Sequence, residues 1–398
     1  MASEIRPEFV ASKEAMKMFG DEPPLVKLGV IVTYYCNLCC TYCSTNSIFL
    51  GKGIAIEDYS IKPSTFKSAL KEAAELGCVV LEITGGEPFL YKPLLEILKY
   101  ADDLGYAIVI ATNGTIINED IARELSRIEG INNLQITLDG SKPEIHNLTR
   151  RKCDGGGTFH EIIKNIRMLA DYSVPVVVNT VVSKYNIHDI PNIVELSFEL
   201  GAKAYKASLM SCFGRGEKAS KELMPSLRDI INLCKEMHVL HRRFQGKILV
   251  GIPAPFPLVS RDIRRNLHEL SACNVLIHAG IDVNGDVGPC VYYLTEEKRY
   301  VLGNLNEKSL KEIWFSPKFK EFRSRFMRDL ERIESSPPCN TCIAKGSCYG
   351  VCPAMAYKMT GRFAAPSSLC WEIYNSKYRI ILEKGIDYIM TKKDELNV

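Results

Sequence analysis

Six short apolar runs, each separated from the next by a stretch of helical periodicity, limit what this chain can become. The runs are LGVIVT (28–33), CVVLEIT (78–84), AIVIAT (107–112), LQITLD (134–139), VPVVVNTVV (174–182) and KAYKASL (203–209). Between them lie periodic segments at 63–77, 92–104, 118–128, 158–172 and 188–200, several opening on a helix-start signal such as Pro63-Ser64 or Pro191. Apolar runs without strict alternation, alternating with helices, are the pattern of parallel strands covered on both faces. Six such units fall short of the eight of a closed barrel. The expectation is an α/β fold: an open, partial (β/α)6 barrel with its functional loops at the C-terminal strand ends.

After residue 215 the pattern changes. A long polar helix is expected at 222–245, and Asn284-Gly285 within DVNGDVGPC (282–290) signals a hairpin. Residues 335–370 are rich in Pro, Gly and Cys and too poor in apolar periodicity to build a core unaided, so they call for staples. The expected divisions are an N-terminal extension (1–27), the partial barrel (28–215), a bridging helical region (216–270), a Cys-rich domain (271–372) and a C-terminal helix and tail (373–398).

Of 398 residues, 15 are cysteine, and they are clustered. Cys78 and Cys234, within apolar or helical runs, read as reduced core residues. The others do not form the short, cysteine-dense chain of a secreted disulfide scaffold. With a net charge of +3 the chain carries no nucleic-acid footprint. It has no run of 18 apolar residues and no secretory signal core, so a cytoplasmic location without a membrane span is expected.

The segment CNLCCTYC (36–43) follows the first strand and packs four cysteines into eight positions. Two triplets are available, Cys36/Cys40/Cys43 and Cys36/Cys39/Cys43, and spacing does not choose between them. Either lets three thiolates converge on a soft metal centre. A cubane iron–sulfur cluster needs four ligands, so three local cysteines leave one iron open to an exogenous ligand. Zinc would want two Cys pairs or a nearby His, and no His is at hand.

At this point the chain resembles the radical S-adenosylmethionine (SAM) enzymes, whose signature is CxxxCxxC with an aromatic, here Tyr42, before the last Cys. The resemblance selects Cys36, Cys40 and Cys43 as ligands and leaves Cys39 over, its thiol facing the barrel or solvent. It extends to TGGEP (84–88), where Gly85, Gly86 and Glu87 are expected to hold the methionine amino group, and to Asn113 in TNG (112–114). In QITLDG (135–140), Thr137 and Asp139 resemble the family's residues near the SAM ribose and carboxylate. His146-x3-Arg150 resembles the element whose arginine meets that carboxylate, with Asn147 in place of Asp and Arg151 as a competing neighbour. The implied chemistry is one-electron cleavage of SAM to methionine and a 5′-deoxyadenosyl radical, fed by a flavodoxin or ferredoxin-type electron donor.

Toward the C-terminus, Cys273-x11-Gly285-x4-Cys290 is followed by Cys339-x2-Cys342-x5-Cys348-x3-Cys352-x17-Cys370. This resembles the seven-cysteine SPASM motif, which implies two auxiliary [4Fe–4S] clusters and three in all. The carried-over ligands are Cys339, Cys342, Cys348 and Cys370 for one, and Cys273, Cys290 and Cys352 for the other. The fourth ligand of the latter is left open, with Cys212, Cys234, His268 and His278 as candidates.

The resemblance covers roughly residues 28–372. It implies a maturase that oxidises or cross-links a peptide or protein substrate, since most relatives with all seven cysteines do so. The alternative is a small-molecule enzyme acting on a tetrapyrrole or a sugar, because CVYYL…LGNL…SLKEIW (290–314) resembles haem-pathway relatives. A non-catalytic electron carrier would lack the intact CxxxCxxC and GGEP. Val291 after Cys290, where sulfatase-maturing relatives have Asp, argues against that activity. The short stretch before the first strand leaves no room there for a peptide-recognition domain. GRG (214–216) is expected to line the substrate mouth.

Overall fold

Each of the six apolar runs forms a strand, and the strands line up in sequence order. The structure, a computed structural model, describes residues 12–20, 22–49, 55–251, 255–266, 273–295 and 299–391. Its strands are β1 (Lys27–Ile31), β2 (Tyr35–Cys36), β3 (Ile48–Phe49), β4 (Val80–Thr84), β5 (Ala107–Thr112), β6 (Ile131–Thr137), β7 (Val176–Val182), β8 (Ala204–Leu209), β9 (Leu249–Gly251), β10 (His278–Ile281), β11 (Asp286–Gly288) and β12 (Gly303–Asn304). All but β2 and β3 join one sheet, in the order β12-β11-β10-β1-β4-β5-β6-β7-β8-β9. The run β10-β1-β4-β5-β6-β7-β8-β9 is parallel throughout.

The parallel sheet is therefore longer than the six strands legible in the sequence. β9, from the expected bridging region, extends one edge. β10 to β12, from the expected Cys-rich domain, extend the other. β10 and β11 form the hairpin signalled by Asn284-Gly285, with Gly285 at φ +80° in the turn.

The outward side chains, such as Leu28, Val30, Leu81, Ile83, Ile108, Ile110, Leu134, Ile136, Val178 and Tyr205, enter one large core under the helices. Their neighbours in sequence face inward and are half-buried: Glu82 on β4, Gln135 and Thr137 on β6, Asn179 on β7, and Lys206 and Ser208 on β8. The sheet curls around that inner face. Glu82 and Lys206 lie four strand spacings apart, roughly 19 Å on a flat sheet, yet each feels the other's charge.

The long helix expected at 222–245 is Leu227–Arg243, preceded by a separate short helix, Gly216–Leu223. Pro225 stands between them, where it breaks the first helix. Ser226 starts the second by accepting the Asp229 N–H at 3.2 Å. Among the described residues, no helix is long and apolar enough to cross a membrane.

Candidate active site

β2 and β3 pair through Tyr35–Ile48 and Cys36–Phe49, which ties together the two ends of the loop that carries Cys36 to Cys43. Its far side is clasped by the segment after the Pro143–Thr149 helix. The Cys39 N–H donates to Arg151 O at 2.9 Å, and the Thr41 N–H donates to Thr149 O at 3.0 Å. A second clasp comes from the loop after β8. Arg215 donates through Nε to Cys40 O (3.0 Å) and through its guanidinium to Ser47 O (3.1 Å), while its N–H donates to Cys43 O (2.9 Å). GRG thus clamps the cysteine loop. Gly214, at φ +52°, lies so close that a Cβ there would stand 2.6 Å from Cys43 O.

Gly85 and Gly86 follow from the same demand for close approach. A Cβ on Gly86 would sit 1.9 Å from Tyr35 O, and one on Gly85 would sit 2.3 Å from Thr33 O. The N–H groups of Gly86 and Glu87 donate to Thr33 O and Tyr35 O at 2.7 and 2.6 Å, which sews the TGGEP loop to the chain entering Cys36.

The Glu87 carboxylate is fully buried and spans the ends of two strands. It accepts from Thr112 Oγ1 (2.7 Å), the Asn113 N–H (2.7 Å) and the Phe89 N–H (3.1 Å). Burial raises its pKa, against the pull of those donors. Its oxygens are thus engaged with the chain itself. Asn113 then reaches Asn37 Oδ1 (2.8 Å) and faces the Cys36 sulfur at 3.8 Å.

Opposite lies a buried polar chain. The Tyr42 hydroxyl donates to the Asp139 carboxylate and accepts from Arg150 at 3.3 Å. Asp139 also accepts from Thr149 Oγ1 (3.2 Å) and the Val181 N–H (2.9 Å). Its pKa is raised by burial, with Arg150 opposing. His146 accepts the Asp139 N–H at Nδ1 (3.1 Å) and meets Thr158 Oγ1 through Nε2 (3.1 Å); burial pulls its pKa down to about 3, so it is neutral.

Arg150 caps the helix in an extended conformation (φ −129°, ψ 101°) and turns inward, 8% exposed; Arg151, next along this strand-like stretch, is exposed. Burial works against the Arg150 charge, but Cys40, Tyr42 and Asp139 more than offset it and raise its pKa. Its Nε has no partner among the described residues. Asn147, the departure from the expected pattern, accepts the Thr158 N–H at 3.0 Å and closes the same turn.

The front thiols form one group. Burial first and Glu87 next push Cys36 up to about 12, and Cys40 and Cys43 act on it too. Burial raises Cys40. Burial also acts to raise Cys43, but hydrogen bonds from Ser47 and Thr45 outweigh it and hold this thiol below its ordinary value. Cys39 faces neither the barrel nor solvent as a free thiol: it forms a disulfide with Cys153, Cα–Cα 4.9 Å.

The rear cysteines fall into two groups. Cys273, Cys290 and Cys352 act on one another, and burial pushes Cys273 up to about 12 although part of its surface is open. Cys290 packs against β10, where a Cβ on Gly280 would lie 2.3 Å from its carbonyl carbon. Cys339, Cys342, Cys348 and Cys370 form the second group, half-buried, with Cys339 and Cys370 pushed up to about 12 by burial. Backbone N–H groups of Ala344 and Gly350 donate to the Cys342 and Cys348 sulfurs at 3.4 and 3.3 Å.

Of the candidates for an extra ligand, Cys234 is a core residue of the Leu227–Arg243 helix. Cys212 lies beside Ser220 Oγ (3.4 Å). His278 is buried on β10, and its Nε2 has no partner among the described residues. His268 lies outside the described residues. Sequence reasoning missed the partners of Tyr42 and the clamp by Arg215; the aromatic before Cys43 and the charged residue between two glycines were the available signals.

Residues 30–197 match the radical SAM superfamily, and residues 273–343 match the iron–sulfur cluster-binding domain called SPASM. Together with the curled parallel sheet and its cysteine loop, this makes the chain a member of the radical SAM superfamily, an enzyme of the SPASM type. It is 28% identical over 354 residues to the AdoMet-dependent heme synthase of Methanosarcina barkeri, covering 85% of this chain and 94% of that one. It is 25% identical over 357 residues to the PqqA peptide cyclase of Rhodopseudomonas palustris, covering 87% of each. Among solved structures, Streptococcus suis SuiB bound to the precursor peptide SuiA superposes with a TM-score of 0.66 at 18% identity, over 87% of this chain and 76% of that one.

Proposed function

We propose that this enzyme cleaves SAM at the Cys36–Cys43 loop and removes a hydrogen atom from a peptide substrate, which it then oxidises or cross-links. The observation that carries the reading is the position of Arg150: a buried guanidinium with a free Nε, beside Cys40 and the Tyr42–Asp139 pair.

The donor sets suit iron–sulfur cubanes. Within each group the thiols feel one another's charge. A cubane takes one thiolate per iron and spaces its ligands more widely than a lone zinc ion does. Cys36, Cys40 and Cys43 would hold the front cluster and leave one iron for SAM. Cys339, Cys342, Cys348 and Cys370 would hold one rear cluster, and Cys273, Cys290 and Cys352 the other. When bound, these clusters supply an electron to the sulfonium at the front and accept one at the rear, so that SAM and substrate give methionine, 5′-deoxyadenosine, a two-electron-oxidised product and a proton.

The chain's own residues orient and shield. Arg150 offers its free Nε to the SAM carboxylate, a charge-assisted contact. Tyr42 and Asp139 hold that guanidinium in place. Glu87 locks the TGGEP and TNG loops together, so that the backbone around Gly85 and Gly86 faces the amino group. Thr137 lies on the inner face for the ribose.

The peptide reading draws support from the similarity to a peptide cyclase. A second reading, a tetrapyrrole substrate, is favoured by the heme synthase similarity and by the segment 290–314. Anaerobic reconstitution with iron, sulfide, reductant and SAM tests the common core. 5′-Deoxyadenosine and about twelve irons per chain are expected; absence of 5′-deoxyadenosine overturns the reading. Deuterium carried into 5′-deoxyadenosine from a labelled peptide or a labelled tetrapyrrole separates the two substrates.

A further inference from the structure

The inner face of the sheet carries more positive than negative charge. Lys27, at the start of β1, pairs with Glu82 on β4 at 2.8 Å. The Lys27 carboxylate partner is thereby fixed, with Glu82 held down at about 2, the Lys27 ammonium being the largest cause. That leaves Lys206 on β8. Among the described residues its ammonium has no hydrogen-bonding acceptor and no ion pair; burial lowers its pKa, with Glu82 opposing and Lys27 reinforcing that shift. Lys27 and Glu82 pair with each other, so Lys206 is left without a direct ion pair in a half-enclosed space, where an unpaired charge is costly.

The register places this charge. Thr137 of β6, Asn179 of β7 and Lys206 of β8 are consecutive partners on one rung, all turned inward. Two strand spacings, about 10 Å, separate the Lys206 backbone from that of Thr137. A lysine side chain directed inward reaches much of the way back. On the far wall the rung of Glu82 continues through Gly29 and Gly280, which carry no side chain, and Cys290 packs against Gly280. The space under the SAM-cleaving loops thus has a lysine on one wall and a rear cysteine group behind the other. Tyr292, 38% exposed and stacked on Phe213 at 5.0 Å, lies at its edge. Asn179 is engaged with Ser208 at 2.6 Å, which leaves Lys206 as the free polar end on that wall.

We infer that Lys206 is a specificity-determining residue that binds a carboxylate of the substrate on the inner face of the barrel, so that the substrate is an acid. The carboxylate belongs to an acidic peptide side chain or to a free organic acid such as a tetrapyrrole propionate; both meet the lysine in the same way. The inference rests on the reading of the barrel as the substrate site of a SAM-cleaving enzyme.

The test uses the reconstituted holoenzyme with SAM bound, and four probes: an end-blocked peptide with one glutamate, its glutamine counterpart, coproporphyrin III, and the tetramethyl ester of coproporphyrin III. Binding is followed by calorimetry for the peptides and by fluorescence for the porphyrins. At least one acid is expected to bind about tenfold or more tightly than its neutral partner, and Lys206→Met to lose that preference while Lys206→Arg keeps most of it; iron content and the thermal midpoint report that both variants fold and load. Which acid is preferred identifies the source of the carboxylate. Equal binding of acid and neutral partner, no binding by either acid, or an unchanged preference in Lys206→Met overturns the inference. Failure of the wild type to form 5′-deoxyadenosine would instead overturn the SAM-cleavage reading.

Discussion

The front and rear cysteines of this chain are held by different physics. Around Cys36, Cys40 and Cys43 the chain invests buried charge: Glu87, Asp139 and Arg150 are all below a tenth exposed, and Arg215 grips the loop carbonyls. Around Cys339, Cys342, Cys348 and Cys370 the thiols are half-buried, and backbone N–H groups of neighbouring turns donate to the Cys342 and Cys348 sulfurs. Buried charge with directed hydrogen bonds orients a second ligand. Backbone donors from short turns hold a group without orienting anything else. The difference teaches that the front loop is braced by buried charge, whereas the rear set is held by the turns that carry it.

The sharpest break of this contrast is to remove one thiol from each side. With Cys40→Ala, 5′-deoxyadenosine formation is expected to fall to background. With Cys342→Ala, substrate-free formation of 5′-deoxyadenosine is expected to persist while product formation stops. Chromatography of both products, with iron analysis, checks this; equal loss of 5′-deoxyadenosine in both variants would erase the distinction.

Next in size is Gly86→Ala. The added methyl would stand 1.9 Å from a carbonyl oxygen of the chain leading into Cys36. Backbone has no rotamer by which to yield, so a loss of about 3 kcal/mol is expected, read as a drop in urea midpoint. Gly361→Ala is the rear counterpart: nothing lies within 4 Å of its Cβ position, and its cost is the strain of a φ of +70° alone. A smaller drop than for Gly86→Ala is expected.

Arg150→Met should weaken SAM binding by roughly 10- to 100-fold, the worth of a charge-assisted hydrogen bond of about 1.5–3 kcal/mol. Arg151→Met, its exposed neighbour, should leave SAM binding unchanged. Equilibrium dialysis with labelled SAM distinguishes them.

The smallest expected effect is on acid stability. His146 is held neutral, with its pKa down to about 3 against an ordinary 6.5. The unfolded chain therefore binds more protons between those values. Stability is complete above pH 6.5 and declines as pH falls toward 3, by up to about 1.4 kcal/mol per pH unit for this residue. Urea midpoints at pH 7.5 and 5.5 should differ more in the wild type than in His146→Asn.

Local patterning made the parallel core readable, because a doubly covered strand must be apolar over its length and a helix must return between strands. The β1 and β4–β8 strands follow from that. β9 is three residues long and β10 four, too short to register as runs, and their pairing with β8 and β1 joins segments far apart in sequence. The cysteine groups were legible as spacings, and the thiols that act on one another are those the resemblance had grouped. Which of Arg150 and Arg151 is buried was not, since it turns on an extended residue at a helix end, where neighbours point opposite ways. Nor was the Cys39–Cys153 pair, 114 residues apart, or the use of Glu87 as a brace between two loops. Such contacts are set by which strand ends the topology gathers together.

The parallel pairing of β10 with β1 has a practical corollary. A truncated chain ending before residue 273 would leave the backbone amides and carbonyls along one side of β1 without partners, at the open border of the sheet. Such borders recruit strands from other molecules. Expressed alone, the catalytic half should therefore self-associate, which makes the tail of this polypeptide a built-in seal against polymerisation as well as a house for metal.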